Sequence, residues 1–378
     1  MTTTIVEEST QADISYARKT TRDTFLRLAR FFSVRVVMQI ITIVIGIYLT
    51  ILIANMGGYV DTILKAEIQE TVNAEIAALA AQQPMSPEAR AQLIASEIAE
   101  REHLAGLDQP FFPRSLRHLR NALTLQFGRA RTMVSDHGSR QVKNIILERL
   151  PATLLLMGSS QVILFFVSLF LALNLSRHYG SVWDKLVVGL SPTSSIPAWF
   201  YGIFLILIFA AWLRILPFDG MVDAPPPATK LGYFLSVLRH LILPAGSLFV
   251  SGFFINIYTW RTFFLIYSSE DYVEMAKAKG LNSRDVERRY ILRPTLPNII
   301  TRFALMLIGI WMGAILTETV FLWPGLGRVI FEAIQRYDTA VIVGTTIVYA
   351  YLLAFTVFFL DFIYAIVDPR VKIGGGSN

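Results

Sequence analysis

The sequence has no cysteine and little charge: Asp, Glu, Lys and Arg make up only 16% of its 378 residues. Without cysteine there is nothing to bridge, which excludes a disulfide-stapled secreted module. An ordinary soluble domain carries about 25% charged residues, and disordered chains are more polar still. Both classes are excluded by what is abundant instead, 54% hydrophobic residues and a mean hydropathy of +0.51. Much of such a chain is solvated by lipid. Enzymatic signatures are also missing. No Gly-x-x-x-x-Gly-Lys-Ser/Thr phosphate loop occurs, so the chain does not hydrolyse ATP itself. There is no His-Glu-x-x-His and no Gly-x-Gly-Asp, and the five histidines (His103, His118, His137, His178 and His240) all lie outside the apolar runs. No catalytic residue and no metal ligand is assigned.

A spanning helix needs roughly 20 mostly apolar residues. Six windows qualify: residues 33–56, 152–175, 186–212, 241–266, 300–323 and 340–367. The third is interrupted by Pro192 and Pro197 and reads as a span or as a broken, re-entrant piece. Lys/Arg bias sets the orientation. With the N-terminus inside, the inner segments hold 15 Lys/Arg and the two short outer loops 5. The long loop between the first two spans holds 11, but long loops cross regardless of charge. Both termini are therefore expected in the cytoplasm. The net charge of +6 then reflects retained inner cations and gives nucleic-acid binding no support. The first apolar run is too long for a cleavable signal and is expected to stay as an anchor.

The expected fold is an all-α polytopic membrane protein with six spans and a large helical extracytoplasmic insertion between spans 1 and 2. Residues 1–32 form a cytoplasmic tail, with a basic amphipathic stretch at 14–32 reading as an interfacial helix. Span 1 is 33–56, the insertion 57–151, the core 152–367 with a cytoplasmic loop at 267–299, and 368–378 a cytoplasmic tail. In the insertion, Leu64, Ile68, Val72, Ile76 and Leu79 predict one helix, and Ser86-Pro87-Glu88 opens a second. Residues 61–102 carry 8 acidic and 3 basic groups, whereas 103–149 carry 3 and 8. Two readings stand equal: a docking surface for an external partner, or a cap whose halves pair with each other.

The cytoplasmic loop is the most informative stretch. Ser269 followed by acids reads as a helix start. Val273, Ala276 and Gly280 fall near one face, where small residues allow something else to approach. Gly280 reads as a helix end, and a second helix starts near Ser283-Arg284-Asp285 and is expected to end at Pro294 and Pro297. Polar residues within spans are functional candidates by default: Asn174, Asn256, Arg261, Thr317, Glu318 and Asp361. Glu318 either faces a translocation path or is a helix-end carboxylate, lying at the headgroup level or bonded to the Trp323–Gly327 turn, the second reading being favoured. Asp361 and Asp368 share a helical face and read as partners of basic loop residues, and Trp260 and Arg261 as anchors at the inner interface.

Glu274-Met275-Ala276, followed by Gly280, resembles the EAA loop of ABC importer permeases. The string from Glu270-Asp271-Tyr272-Val273 through Ala276-Lys277-Ala278-Lys279-Gly280-Leu281 is similar to the dipeptide/oligopeptide branch. So are Arg149-Leu150-Pro151-Ala152-Thr153-Leu154, Arg239-His240-Leu241-Ile242-Leu243-Pro244, and Glu318-Thr319-Val320-Phe321 with Trp323-Pro324-Gly325-Leu326-Gly327. Asp361, Tyr364 and Asp368-Pro369-Arg370-Val371 close the series. Met275 at the centre of the triplet and the long outer loop depart from the pattern. Arg293 stands where the general loop has proline, and Pro297 fits the later placement of the peptide branch.

The resemblance implies half of a transmembrane pore in the prokaryotic plasma (inner) membrane, importing di- or oligopeptides. Relatives carry nickel or oligosaccharides on the same scaffold. The implied partners are a second homologous permease, two cytoplasmic ABC ATPases that bind ATP and Mg, an extracytoplasmic binding protein, and lipid. No cofactor is implied in this chain. Glu270, Asp271, Tyr272, Glu274, Ala276, Ala278, Gly280 and Leu281 are the implied ATPase-coupling residues. Asn256, Thr317 and Glu318 are candidates for the translocation path. The rival class, a stand-alone secondary transporter or channel, would show inverted repeats; none is evident.

Overall fold

Apolar runs interrupted by proline and glycine shape the fold. In the computed structural model, residues 33–53, 59–83, 85–310 and 313–367 are described. The interfacial helix expected over 14–32, the tail 368–378 and the side chain of Asp361 lie outside them. The described residues form helices and no strand, apart from an isolated antiparallel bridge between Arg129 and Gln141.

Five helices are long and apolar enough to cross a membrane. They are α1 (Ser33–Ile53), α5 (Val142–Arg177), α8 (Lys230–Ser268), the run Ser283–Ile310, and α14 (Thr339–Val367). The run Ser283–Ile310 comprises α10 (Ser283–Asp285), a widened π-helical stretch Val286–Leu292 and α11 (Arg293–Ile310). The third window is the broken piece that its prolines suggested. Its halves are α6 (Val182–Leu190), continued by the 3-10 turn Ser191–Ser195, and α7 (Ala198–Leu205), continued by the π-helical Ile206–Trp212. They meet at 101° and make a sixth crossing only if counted together. Pro197 has no N–H to give to a preceding turn. The neighbouring helix α8 ties down the exposed groups: Ser251 Oγ donates to the Ile196 carbonyl (3.0 Å), and Ile255 N–H to Ser194 Oγ (3.3 Å).

The structure corrects two expectations about where helices end. The fifth window, 300–323, is not one helix. α11 ends at Ile310, Gly313 turns the chain at φ +67°, and two short helices follow, α12 (Ile315–Val320) and α13 (Leu326–Gln335). Nor does the helix begun at Ser283 end at Pro294 and Pro297. It continues through both, because Pro294 stands in the first turn of α11, where its ring is tolerated. The Thr295 hydroxyl bonds back to the Ile291 and Leu292 carbonyls there.

Between α1 and α5 lie α2 (Tyr59–Gln82), α3 (Pro87–Ala105) and α4 (Phe111–Leu123). Ser86 caps α3 by accepting from Ala89 N–H, with Pro87 in the first turn as expected. The amphipathic α4 comes in addition to the two helices that the sequence pattern predicts. The sorted charges pair across the segment. Arg114, 4% exposed, donates to Asp61 at 2.6 Å, and Arg131 reaches Glu70 at 3.8 Å. Other ion pairs stay within one half, among them Arg101 with Glu75 and Arg149 with Asp136. The segment is sewn to the core by Ile47, Ile51, Ala122 and Ile347, and by a second cluster joining Ala130, Met133 and Val142 to Leu326, Val329 and Val341.

Arg261 and Trp260 are not interface anchors. Trp260 is buried against Phe165 and Phe264. Arg261 is 8% exposed and forms a bidentate pair with Asp184, 2% exposed, with one contact at 2.7 Å; Gly180 N–H also donates to that carboxylate at 2.9 Å. A charge inside a span needs such a counter-ion. Removing one member strands the other, which costs about 3 kcal/mol or more, whereas replacing both by apolar groups is near neutral. Asp184→Asn should therefore lower the thermal midpoint of the detergent-extracted protein markedly. Asp184→Leu combined with Arg261→Met should recover most of the loss. An unshifted midpoint in Asp184→Asn contradicts the pairing.

Candidate functional site

Two places concentrate polar chemistry: a buried clasp around Glu318 and an exposed helix after α8. The clasp begins with α13. Its first N–H groups have no intrahelical partner, and Gly325 at its N-cap has no side chain to offer. Other elements supply the acceptors. Thr153 Oγ1 accepts from Leu326 N–H (2.7 Å), and Glu318 Oε2 accepts from Arg328 N–H (3.1 Å). Thr153 in turn donates to Glu318 Oε1 at 3.0 Å, and Gly327 N–H also bonds to the carboxylate. A carboxylate at a helix N-terminus is stabilised by the helix dipole. That is why a fully buried acid is accommodated here.

Close approach is made possible by glycine. A β-carbon on Gly327 would lie 2.8 Å from the Ile315 Cα and 2.9 Å from Glu318 Oε2, and one on Gly325 would strike the Glu318 carboxyl. Trp323, also fully buried, donates from Nε1 to the Ala152 carbonyl at 2.8 Å and packs on Leu156 and Leu241. Phe321 packs on Leu243. Three sequence stretches far apart in the chain, around Pro151, His240 and Trp323, thus meet at one point. Thr317 and Glu318 are 3% and 0% exposed within this single chain, and the Glu318 carboxylate is bonded to the helix start that follows the Trp323–Gly327 turn. Asn256 is half-buried and donates to the Gly252 carbonyl at 2.8 Å.

The second place is α9 (Asp271–Ala278). Its N-cap is Glu270; Ser269 instead ends α8. Asp271 and Glu274 sit in the first turn, where the dipole favours acids. Val273 and Ala276 are 0% and 2% exposed and pack on Val286, with Leu281, Tyr290 and Ile291 around them. The small-residue face expected to receive an outside partner is therefore occupied by the chain's own π-helical stretch. The face left open carries Tyr272 and Met275, 37% and 58% exposed, with Asp271, Glu274, Ala278 and Lys279 beside them. Gly280 has φ +77° and nothing within 4 Å of a would-be β-carbon, so its turn, and not close packing, requires glycine. Asn282 caps the next helix by accepting from Asp285 N–H at 2.8 Å. Arg177, at the end of α5, is ion-paired with Glu287, one residue past Val286.

The sequence profile described as binding-protein-dependent transport system inner membrane component matches residues 165–373, which include α9, α12 and α13. The chain belongs to this family. Among its relatives is the dipeptide transport system permease protein DppB of Escherichia coli (strain K12), 28% identical over 312 residues, covering 78% of this chain and 88% of that one. The di/tripeptide transport system permease protein DppB of Pseudomonas aeruginosa (strain UCBPP-PA14) is 30% identical, over 72% and 84% of the two chains. The oligopeptide transport system permease protein AppB of Bacillus subtilis (strain 168) is 32% identical, over 71% and 82%. A solved chain of the MetNI methionine ABC transporter, in inward facing conformations, overlaps with a TM-score of 0.45 at 15% identity, over 59% of this chain and 96% of that one; the family assignment rests on the sequence matches. This inner membrane component is thus a multi-pass helical protein whose family motifs fold into the clasp and into α9.

Glu318→Ala should leave the Gly327 and Arg328 N–H groups of α13 without their acceptor and lower stability by at least about 2 kcal/mol. Gly327→Ala should do the same by forcing the carboxylate out of place. Thermal unfolding in detergent measures both; wild-type midpoints would show that the clasp is dispensable.

Proposed function

We propose that this inner membrane component is one of two permease subunits of an ATP-driven importer and forms half of the pore for di- or oligopeptides. The observation that carries this reading is α9: a short helix closed by a left-handed glycine, packed on its own chain by one face and exposed on the other. The names of the relatives, dipeptide, di/tripeptide and oligopeptide permeases, support the substrate class. The Lys/Arg bias supports cytoplasmic termini, which places α9 inside and the segment 57–151 outside. On this reading the domains are the tail 1–32, span 1, the external cap 57–151, the core 152–367 and the tail 368–378. Two ATPase subunits bind ATP and Mg, one of them docking on the open face of α9; a second permease completes the pore, and an external binding protein delivers the peptide.

The coupling step is rigid-body transmission. Tyr272 and Met275 enter a cleft on the ATPase, with Glu270, Asp271, Glu274 and Ala278 at its edge. Ala276 and Leu281 act from behind, holding α9 on the segment that Arg177 joins to α5. Movement of the ATPase then reaches the spans through packed side chains.

Glycine at position 280 is needed for its backbone, so replacements should rank by tolerance of positive φ. A β-branched residue there costs about 1–2 kcal/mol, whereas asparagine adopts the conformation more readily. Gly280→Val should reach the membrane and assemble, yet hydrolyse ATP without taking up peptide. Gly280→Asp should uncouple likewise through its added charge, while Gly280→Asn keeps part of the uptake. Undiminished peptide uptake by Gly280→Val and Gly280→Asp in reconstituted vesicles would falsify the coupling role of this turn.

A further inference from the structure

The helix α4 turns an apolar stripe away from the protein. Phe112, Leu116 and Leu123 are exposed, Phe112 by 64%, and with the half-buried Leu119 they recur at the spacing of one helical face. Among the described residues, α2 and α3 expose one large apolar side chain each, Leu79 and Leu104. The rest of α4 is basic, with three arginines, a histidine and no acid. Its side chains divide among three faces. Arg114, Ser115 and Ala122 are buried against the protein, with Arg114 ion-paired to Asp61. Arg117 and Arg120 are exposed on another side, and the apolar stripe lies between the two. A helix that meets only protein and water needs two faces. A third, apolar and unpacked beside exposed arginines, is what an interfacial helix presents to lipid.

Packing sets the depth of that stripe. The Ser115 and Tyr48 hydroxyls share a hydrogen bond of 3.3 Å, and Tyr48 stands five residues inside the end of α1 at Ile53. Tyr351 donates to the Leu123 carbonyl at 3.2 Å from twelve residues into α14, about 18 Å along the helix. Ala122 shares a buried cluster with Ile47, Ile51 and Ile347, and Leu119 packs against it. Two spans thus hold α4 at points inside their apolar lengths. α1 is itself little buried and exposes Ile45, Leu49 and Ile53, so α4 extends an apolar surface that already belongs to a span. A soluble partner arriving from water would not reach the level of Tyr351.

We propose that α4 lies in the bilayer interface, with Phe112, Leu116 and Leu123 among the acyl chains of the leaflet that holds the C-terminal half of α1, and with Arg117 and Arg120 at its headgroups. On the orientation argued above this is the outer leaflet. Lipid completes the burial of the stripe that the protein leaves open. It also holds the segment between α1 and α5 at the membrane surface.

The chain has no cysteine, so a single thiol can report on one position at a time. Phe112→Cys, Leu116→Cys, Leu123→Cys and Arg117→Cys are each spin-labelled, as is Ala99→Cys on an exposed face of α3. The full-length chain is studied with its co-purifying subunits in vesicles of phosphatidylethanolamine and phosphatidylglycerol. The signal of the complex made with the cysteine-free chain is subtracted, and unchanged co-purification shows that each variant is assembled. Collision rates are measured with molecular oxygen, which concentrates in hydrocarbon, and with a water-soluble nickel chelate. Labels replacing Phe112, Leu116 and Leu123 should collide more often with oxygen than with nickel, and those replacing Arg117 and Ala99 more often with nickel. Dominant nickel collisions along the stripe would place it in water and overturn the proposal. Low rates with both reagents would show it covered by protein, such as a second permease, and would overturn it equally. The ratio does not depend on which side of the membrane α4 occupies, so an inverted orientation would leave the expected result unchanged.

Discussion

A buried carboxylate at the start of a helix is the constraint on which the rest of the fold depends. The chain must stop spanning after Ile310, turn, and begin α13 in a place without water. Helix starts present unpaired N–H groups, and in an apolar setting each must find an acceptor. Glu318 and Thr153 provide them from α12 and α5. The requirement runs both ways. The acid tolerates burial only because those donors and the helix dipole face it. Gly325 and Gly327 then follow as a steric consequence, since a β-carbon at either would meet the carboxylate. So does Trp323, whose indole spans from the turn to Ala152. The turn, the proline-bearing start of the apolar part of α5 and the proline-bearing part of α8 are fixed together.

α5 carries that constraint across the protein. The stretch from Thr153 in the clasp to Arg177 beside Glu287 is 24 residues, about 36 Å of helix. One end is held by the carboxylate of Glu318 and the other by an ion pair to the segment on which α9 rests. Next to that second end, Asp184 and Arg261 lock α6 onto α8. A displacement of α9 therefore has packed and ion-paired routes into two long helices, with the clasp as the far anchor. On the proposed reading this is the physical content of coupling between a cytoplasmic motor and a pore.

Much of this is legible in the sequence, and the gaps have physical causes. Length and apolarity locate the spans, and Pro192 and Pro197 mark the broken one, because proline cannot give the N–H a helix needs. The fifth window reads too long in the sequence, since apolar residues resume on both sides of Thr317–Thr319 and only Gly313 signals the turn. Pro294 and Pro297 read as a stop, but α11 admits them in its first turn and at a tolerated interior position. In α9 the spacing of Val273, Ala276 and Gly280 identifies a special face. It cannot say that the face is already covered, because Val286 and Tyr290 arrive from beyond the turn. The pairing of Arg261 with Asp184 escapes the sequence reading. Its signal exists: a cation in a span requires an acid, and Asp184 is the acid of the neighbouring short loop.

The most direct test of the account uses the absence of cysteine. Met275→Cys gives a chain with a single thiol on the open face of α9, and Val273→Cys places one on the covered face. Labelling by a maleimide is measured in the assembled complex and again after the ATPase subunits are stripped away. The account predicts that the thiol of Met275→Cys is shielded in the complex and reacts quickly once the ATPases are gone, while that of Val273→Cys stays slow in both. Equal labelling of Met275→Cys with and without the ATPases would contradict it.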